Sequence, residues 1–183
     1  IGGGEESFGW LGYDKVRDKC APSAICLICE IAAAAKDQGM TLYEYLLNIY
    51  KEFGFQRETT VNVVRPGKTG ADEIKQMMAD FRANPPQELG GSKVVLWKDY
   101  QALTTTKADG TVEKLDMPTT SNVLQWFCDD NTKVSVRPSG TEPKIKFYIE
   151  VKDPSFKCAG CYERCSKAAD EKIEAIKKSL HLD

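Results

Sequence analysis

The sequence predicts an α+β fold: a C-terminal antiparallel sheet with flanking helices, preceded by a loop and two helices. Three observations predict it. Residues 24–38 and 41–54 carry apolar residues at three-and-four spacing, the mark of amphipathic helices, with almost no strand of their own. From residue 55 on, short runs rich in β-branched and aromatic residues recur between turn signals. After the first run, the others fall together between helical stretches at 71–83 and 161–180 instead of alternating with helices, which favours antiparallel pairing. The chain therefore divides into residues 1–54 and residues 55–183.

Taken in order, residues 1–19 form a Gly-rich, then charged, loop. Pro22-Ser23 opens the first helix, with Ile25, Leu27, Ile28, Ile31, Ala32 and Ala35 along one face, and Gly39 ends it. Thr41 and Glu44 have the spacing of a capping box, so a second helix starts there. Leu42, Tyr45, Leu46, Ile49 and Phe53 make its expected buried stripe, and Gly54 stops it. Arg57–Val64 reads as a strand. Ile74, Met77, Met78 and Phe81 line the next helix, which Asn84-Pro85-Pro86 ends. Val94–Trp97 is a strand, and Asp109-Gly110 is a turn between short strands. Asn122–Phe127 and Lys133–Val136 flank an Asp129-Asp130-Asn131 turn. Ile145, Phe147, Ile149 and Val151 alternate with Lys146, Tyr148 and Glu150, a half-buried strand.

Composition narrows the function classes. With 42% hydrophobic and 28% charged residues, the 183-residue chain has the profile of a globular protein with a real core. A net charge of −2 exerts no global pull toward nucleic acid or an anionic membrane. No apolar run approaches the roughly 20 residues that span a bilayer. No leader pattern appears, so a cytoplasmic protein is expected. The chain begins Ile1-Gly2-Gly3-Gly4 without Met, and motif residues follow at once, which suggests a piece of something longer.

Any anion site must then be built locally, and residues 137–144, Arg-Pro-Ser-Gly-Thr-Glu-Pro-Lys, have the chemistry for one. Arg137 offers a planar, permanently charged fork to two phosphate oxygens. Ser139 and Thr141 offer hydroxyls. Gly140 lets a backbone N–H approach an anion, and Lys144 adds a cation. Pro138 and Pro143 stiffen the loop, so less entropy is lost on binding. Spacing alone leaves a second reading open, a Pro/Gly-rich hairpin with an incidental arginine. Residues 3–9, Gly-Gly-Glu-Glu-Ser-Phe-Gly, hold two carboxylates and a hydroxyl among glycines. Such groups can accept hydrogen bonds from sugar hydroxyls, act as acid and base, or ligate metal; alone they also read as a solvated acidic loop.

The eight residues 137–144 followed by an alternating strand closely resemble the phosphate-binding loop in the last domain of the α-D-phosphohexomutases, which include phosphoglucomutases and phosphomannomutases. Residues 3–9 resemble the sugar-binding loop of that family's third domain, and the two motifs occur in the family's order. The resemblance implies that 55–183 is the fourth domain, with its TATA-binding-protein-like sheet, and that 1–54 is the incomplete C-terminal part of the third. It implies sugar contacts from Glu5 and Ser7 and phosphate contacts from Arg137, Ser139, Gly140 and Thr141. Val16-Arg17-Asp18-Lys19 also looks like the family, with Arg17 and Lys19 as possible phosphate-facing cations, although Cys20 and Pro22 depart from its pattern.

The reaction so implied moves a phosphoryl group within a hexose phosphate by way of a phosphoserine, a glucose 1,6-bisphosphate-type intermediate and Mg²⁺. The family's Ser-His catalytic loop and Asp-x-Asp-x-Asp metal loop are absent from this sequence, whose single histidine is His181. No catalytic residue and no metal ligand is therefore expected here. The partners expected are a hexose phosphate and the missing N-terminal domains. The competing reading is a stand-alone sugar-phosphate or anion-binding module; it requires a covered core in residues 1–54, whereas the mutase reading leaves the two helices with exposed apolar surface.

Seven cysteines, an odd number, argue against a full disulfide framework. Cys26 and Cys29 lie on an apolar helix face, where cysteine acts as a small hydrophobe. Cys158, Cys161 and Cys165 form a cluster peculiar to this chain, and a metal- or redox-sensing domain built on it would carry stoichiometric metal.

Overall fold

The computed structural model describes residues 2–5, 9–12, 14–67 and 69–182. They form two compact units. The first comprises residues 1–54 together with 156–162, and the second comprises 55–155 and 163–183.

In the first unit, Gly3–Gly4 (β1) pairs antiparallel with Trp10–Leu11 (β2), so the Gly-rich start is a small hairpin where the sequence suggests only loop. Three glycines make room for one indole. A Cβ on Gly4 would lie 3.0 Å from the Trp10 ring, and a Cβ on Gly12 would lie 3.0 Å from its Nε1; Gly2 sits almost as close. Ala21–Asp37 (α1) follows, with Pro22 in its first turn. Pro is tolerated there because the first-turn N–H groups have no helical partner. Gly39, at φ 71°, ends the helix, and Met40 N donates back to Ala35 O at 2.9 Å.

Leu42–Phe53 (α2) starts with the capping box that the sequence predicts. Glu44 N donates to Thr41 Oγ1 at 3.2 Å, and Thr41 N donates to Glu44 Oε2 at 2.7 Å. The stripe expected to be buried is not. Leu42, Leu46, Ile49 and Phe53 are exposed, as are Ile25 and Ile28 of α1, and the buried positions of these helices are Ala35 and Leu47. The periodicity identifies an apolar face correctly but says nothing about whether this chain contains the layer that covers it. The segment 156–162 packs on α2 at both ends: Phe156 meets Tyr50 edge-on at 5.7 Å, and Tyr162 meets Tyr43 edge-on at 5.8 Å.

The second unit contains Phe55–Val64 (β3), Gly70–Ala83 (α3), Glu88–Leu89 (β4), Ser92–Asp99 (β5), Thr104–Lys107 (β6), Val112–Lys114 (β7), Leu124–Cys128 (β8), Lys133–Pro138 (β9) and Lys144–Asp153 (β10). Tyr162–Ser179 (α4) closes it. The strands form an antiparallel sheet in the order β3-β10-β9-β8-β5-β6-β7, with β4 paired to β5. The α+β architecture read from the sequence is therefore the one observed.

Alternation fixes which face is core. Ile145, Phe147 and Ile149 of β10, Val134 and Val136 of β9, and Trp126 of β8 are fully buried. Helix α3 packs on this face through Phe81, which meets Trp126 at 5.1 Å and Phe147 at 6.1 Å. Helix α4 buries Cys165, Ala169, Ile173 and Ile176 at helical spacing. Gly90 takes φ 55° in the β4–β5 turn, where a Cβ would stand 2.7 Å from Ile176 Cγ1, so glycine lets α4 approach.

Candidate functional site

The loop 137–144 is the turn of the β9–β10 hairpin in the second unit. Arg137 is the second-last residue of β9, directly opposite Lys146 of β10, which in turn faces Asn62 of β3. Paired residues of an antiparallel sheet share a face, so two cations stand side by side on the sheet face away from the core. Arg137 is exposed and makes no ion pair or hydrogen bond among the described residues.

The loop holds its own shape. Ser139 N donates to Lys144 O at 2.8 Å and Lys144 N to Glu142 O at 2.7 Å. The Ser139 hydroxyl oxygen accepts from Thr141 N at 3.3 Å and Glu142 N at 3.2 Å. Ser139 thus spends its lone pairs on the turn and keeps its O–H hydrogen to donate. Arg65 N donates to Pro143 O at 2.9 Å, tying the turn to the end of β3. Lys144 is already engaged: its ammonium lies 2.5 Å from Glu142 Oε2. Gly140 is exposed, a Cβ there would meet nothing within 4 Å, and its φ is not left-handed. Among the described residues, neither crowding nor backbone conformation requires glycine at 140.

Glu5 lies at the tip of the β1–β2 hairpin in the first unit. Its N–H donates to Gly9 O at 3.0 Å, closing the turn. Its carboxylate is 3.7 Å from Lys19 Nζ, and Lys19 also lies 3.3 Å from Asp18 Oδ1. Asp18 and then Glu5 raise the Lys19 pKa. Gly9 makes this convergence possible: a Cβ there would stand 2.4 Å from Glu5 Oε1 and 2.6 Å from Lys19 Cγ. Cys20 N donates to Trp10 O at 3.1 Å, which brings the chain after Lys19 back onto the hairpin. Arg17 is exposed and makes no ion pair or side-chain hydrogen bond among the described residues. Ser7, the second expected sugar contact, lies outside the described residues, as does Glu6.

Sequence reasoning singles out these residues by type; the structure puts Glu5 on one hairpin with Lys19 against its carboxylate, and Arg137, Ser139, Gly140, Thr141 and Lys144 on another. That reasoning misses Lys146 as a neighbour of Arg137 and the Arg65 backbone as a brace. Strand register is the signal that finds them, and register is long-range information. No group of three His, Cys, Asp or Glu able to hold a metal ion occurs among the described residues. No helix of the described residues is long and apolar enough to cross a membrane.

Comparison with known proteins places the chain in a family. Residues 61–156, just over half of the chain, match the sequence model of the phosphoglucomutase/phosphomannomutase C-terminal domain. The chain is 39% identical over 153 residues to a phosphoglucomutase of Staphylococcus aureus, covering 83% of this chain and 27% of that protein. It is 36% identical over 153 residues to a phosphoglucomutase of Staphylococcus haemolyticus, covering 28% of it. The chain therefore spans little more than a quarter of the length of these curated relatives. Among solved structures, the fold is shared with Paramecium parafusin, a phosphoprotein described as a phosphoglucomutase and solved in an open form, at a TM-score of 0.56 and 18% identity; the match covers 97% of this chain and 29% of that one.

Proposed function

We propose, for a chain that belongs to the phosphoglucomutase/phosphomannomutase family and carries its C-terminal domain, that it supplies sugar and phosphate recognition to a phosphohexomutase. In this reading Arg137, the Ser139 and Thr141 hydroxyls and the Gly140 N–H hold the phosphate that is not reacting, with Lys146 adding charge beside it. Glu5 accepts hydrogen bonds from sugar hydroxyls, with Ser7 as its partner, and Lys19 fixes the Glu5 carboxylate. Residues 1–54 are the C-terminal part of the third domain and 55–183 the fourth. The phosphoserine and Mg²⁺ belong to parts of the protein outside this chain, which alone does not turn over. The setting is cytoplasmic.

One observation carries the reading: Arg137 stands free of any acid among the described residues, opposite a second cation, on a turn that is already hydrogen-bonded into shape. The exposed apolar faces of α1 and α2 favour the mutase reading over a stand-alone binding module, which needs that surface covered. The missing layer of the third domain would pack there.

The test is calorimetric titration of phosphate, glucose 1-phosphate and glucose 1,6-bisphosphate into this chain and its Arg137→Ala variant. A charge-assisted contact of about 1.5–3 kcal/mol predicts a loss of roughly ten- to a hundredfold in affinity for all three. The variant should melt no lower than the parent, since removing one of two facing cations relieves repulsion. Equal affinity in parent and variant would show that the loop is not the phosphate site.

A further inference from the structure

We propose that Cys158 and Cys161 form a dithiol–disulfide site, at which a low-molecular-weight disulfide is reduced as the two cysteines join. The sugar and phosphate loops use neither residue.

The geometry comes first. Cys161 N donates to Cys158 O at 3.0 Å, closing a single turn through Ala159 and Gly160. A turn closed in this way keeps its end Cα atoms within about 7 Å, and disulfides span roughly 4.4–6.8 Å between Cα atoms. The neighbouring Cys161 thiol raises the Cys158 pKa. Access is the second point. Cys158 is exposed and Cys161 half-buried, and a Cβ on the intervening Gly160 would meet nothing within 4 Å. The approach of a second disulfide is therefore unobstructed on that side.

The third point is position. The turn lies between two aromatic contacts to α2, Phe156 on Tyr50 and Tyr162 on Tyr43. Both ends of the turn are pinned, so the cysteines stay opposed and little chain entropy remains to be lost when they join. Cys26 and Cys29 share the spacing but sit within α1. Residues three apart on a helix hold their Cβ atoms about 5–6 Å apart, beyond the roughly 3.5–4.5 Å that a disulfide needs, so oxidation there distorts the helix.

The chemistry balances as thiol–disulfide exchange. The exposed Cys158 thiolate attacks one sulfur of the small disulfide, breaking its S–S bond and releasing one thiolate. The Cys161 thiolate then attacks the Cys158 sulfur of the mixed disulfide and expels the second thiolate. The chain loses two electrons and two protons; the small disulfide gains them and leaves as two thiols.

The experiment equilibrates the whole chain in glutathione buffers of rising oxidised fraction, quenches with acid, and identifies the pairs by peptide mass spectrometry. Expected is a two-hydrogen loss in the peptide holding Cys158 and Cys161, ahead of any pairing of Cys26 with Cys29. Cys158→Ser and Cys161→Ser should each stop at a single glutathione adduct on the remaining cysteine. The unsubstituted reduced chain should also bind phenylarsine oxide one to one at this turn. The proposal is overturned if the parent accumulates only a glutathione adduct at Cys158, if Cys26–Cys29 oxidises first, or if neither glutathione nor the arsenical reacts at the turn.

Discussion

Asp130 should stabilise the second unit far more than its place in a surface turn suggests. It sits between β8 and β9, where the sequence shows only a turn. Its Oδ2 accepts from Ser92 Oγ at 2.6 Å and lies 2.9 Å from Lys172 Nζ, while Oδ1 accepts from Thr132 N at 3.0 Å. The Lys172 ammonium also contacts the Ser92 hydroxyl. One carboxylate thus joins the turn, the start of β5 and helix α4. Burial alone would raise its pKa, but the hydrogen bonds from Ser92, Lys172 and Thr132 together outweigh it and hold the carboxyl well below the ordinary range. Asp130→Ala strands the Lys172 ammonium, whose side chain is 19% exposed. Losing charge-assisted bonds and leaving a mostly buried cation unpaired would cost several kcal/mol in a dry site; the Asp130 side chain is 40% exposed, so solvent screening reduces this to about 2 kcal/mol. The sign in pH follows from the depressed pKa. The contribution is present above the unfolded carboxyl value of about 4 and is lost progressively as pH falls below it. Urea unfolding followed by tryptophan fluorescence reads the transition, because Trp126 is fully buried in this sheet. The penalty of Asp130→Ala should be largest at pH 7 and shrink by pH 3. Adding Lys172→Met should restore part of it by removing the stranded charge. Additivity of the two substitutions within about 0.5 kcal/mol, or the same penalty at both pH values, would refute the reasoning.

Gly9→Ala should leave stability within about 0.5 kcal/mol, because the atoms nearest the new methyl belong to the Glu5 and Lys19 side chains, which can move. It should nonetheless displace the Glu5 carboxylate from Lys19 and abolish any preference for glucose 1-phosphate over plain phosphate in the calorimeter. Thiol reactivity should follow local chemistry. The Ser23 hydrogen bonds lower the Cys20 pKa, the Cys161 contact raises that of Cys158, and burial pushes Cys128 up to about 11. Mass spectrometry of iodoacetamide-treated chain across pH should show Cys20 modified at lower pH than Cys158, and Cys128 modified only on unfolding.

Local signals in the sequence were strong where the structure is local. The Thr41–Glu44 capping box, the alternation of β10 and the Phe81 stripe of α3 all appear as read, because each depends on residues within a few positions of one another. The strand order was not legible. Pairing β3 with β10 joins Val64 to Lys144, and no composition cue spans that distance. The same holds for Asp130, whose partners Ser92 and Lys172 lie 38 and 42 positions away on either side. The α2 stripe shows a third kind of limit: Leu46 and Ile49 mark a face, but what covers that face is not written in the helix. In the candidate site, Arg137, Ser139 and Gly140 were legible by type, whereas the neighbouring Lys146 needed the β9–β10 register.

That register also separates what this hairpin does for folding from what it offers a ligand. The same two strands place Lys133 opposite Glu150, with the ammonium 2.6 Å from the carboxylate. Four residues further along β9, they place Arg137 opposite Lys146. Opposite charges across strands stabilise a pair and like charges destabilise it by a similar amount, so the far end of the hairpin obeys the folding rule and the turn end breaks it. The break coincides with a glycine that neither φ nor crowding demands and with a serine whose hydroxyl oxygen shapes the turn while its hydrogen remains to donate. Ser139 braces the turn and still keeps a hydrogen to donate, whereas Gly140 and the facing cations answer no requirement of the turn itself. A dianion seated against Arg137 would account for all three at once: it would neutralise the facing cations, occupy the clearance over Gly140, and accept the Ser139 hydrogen.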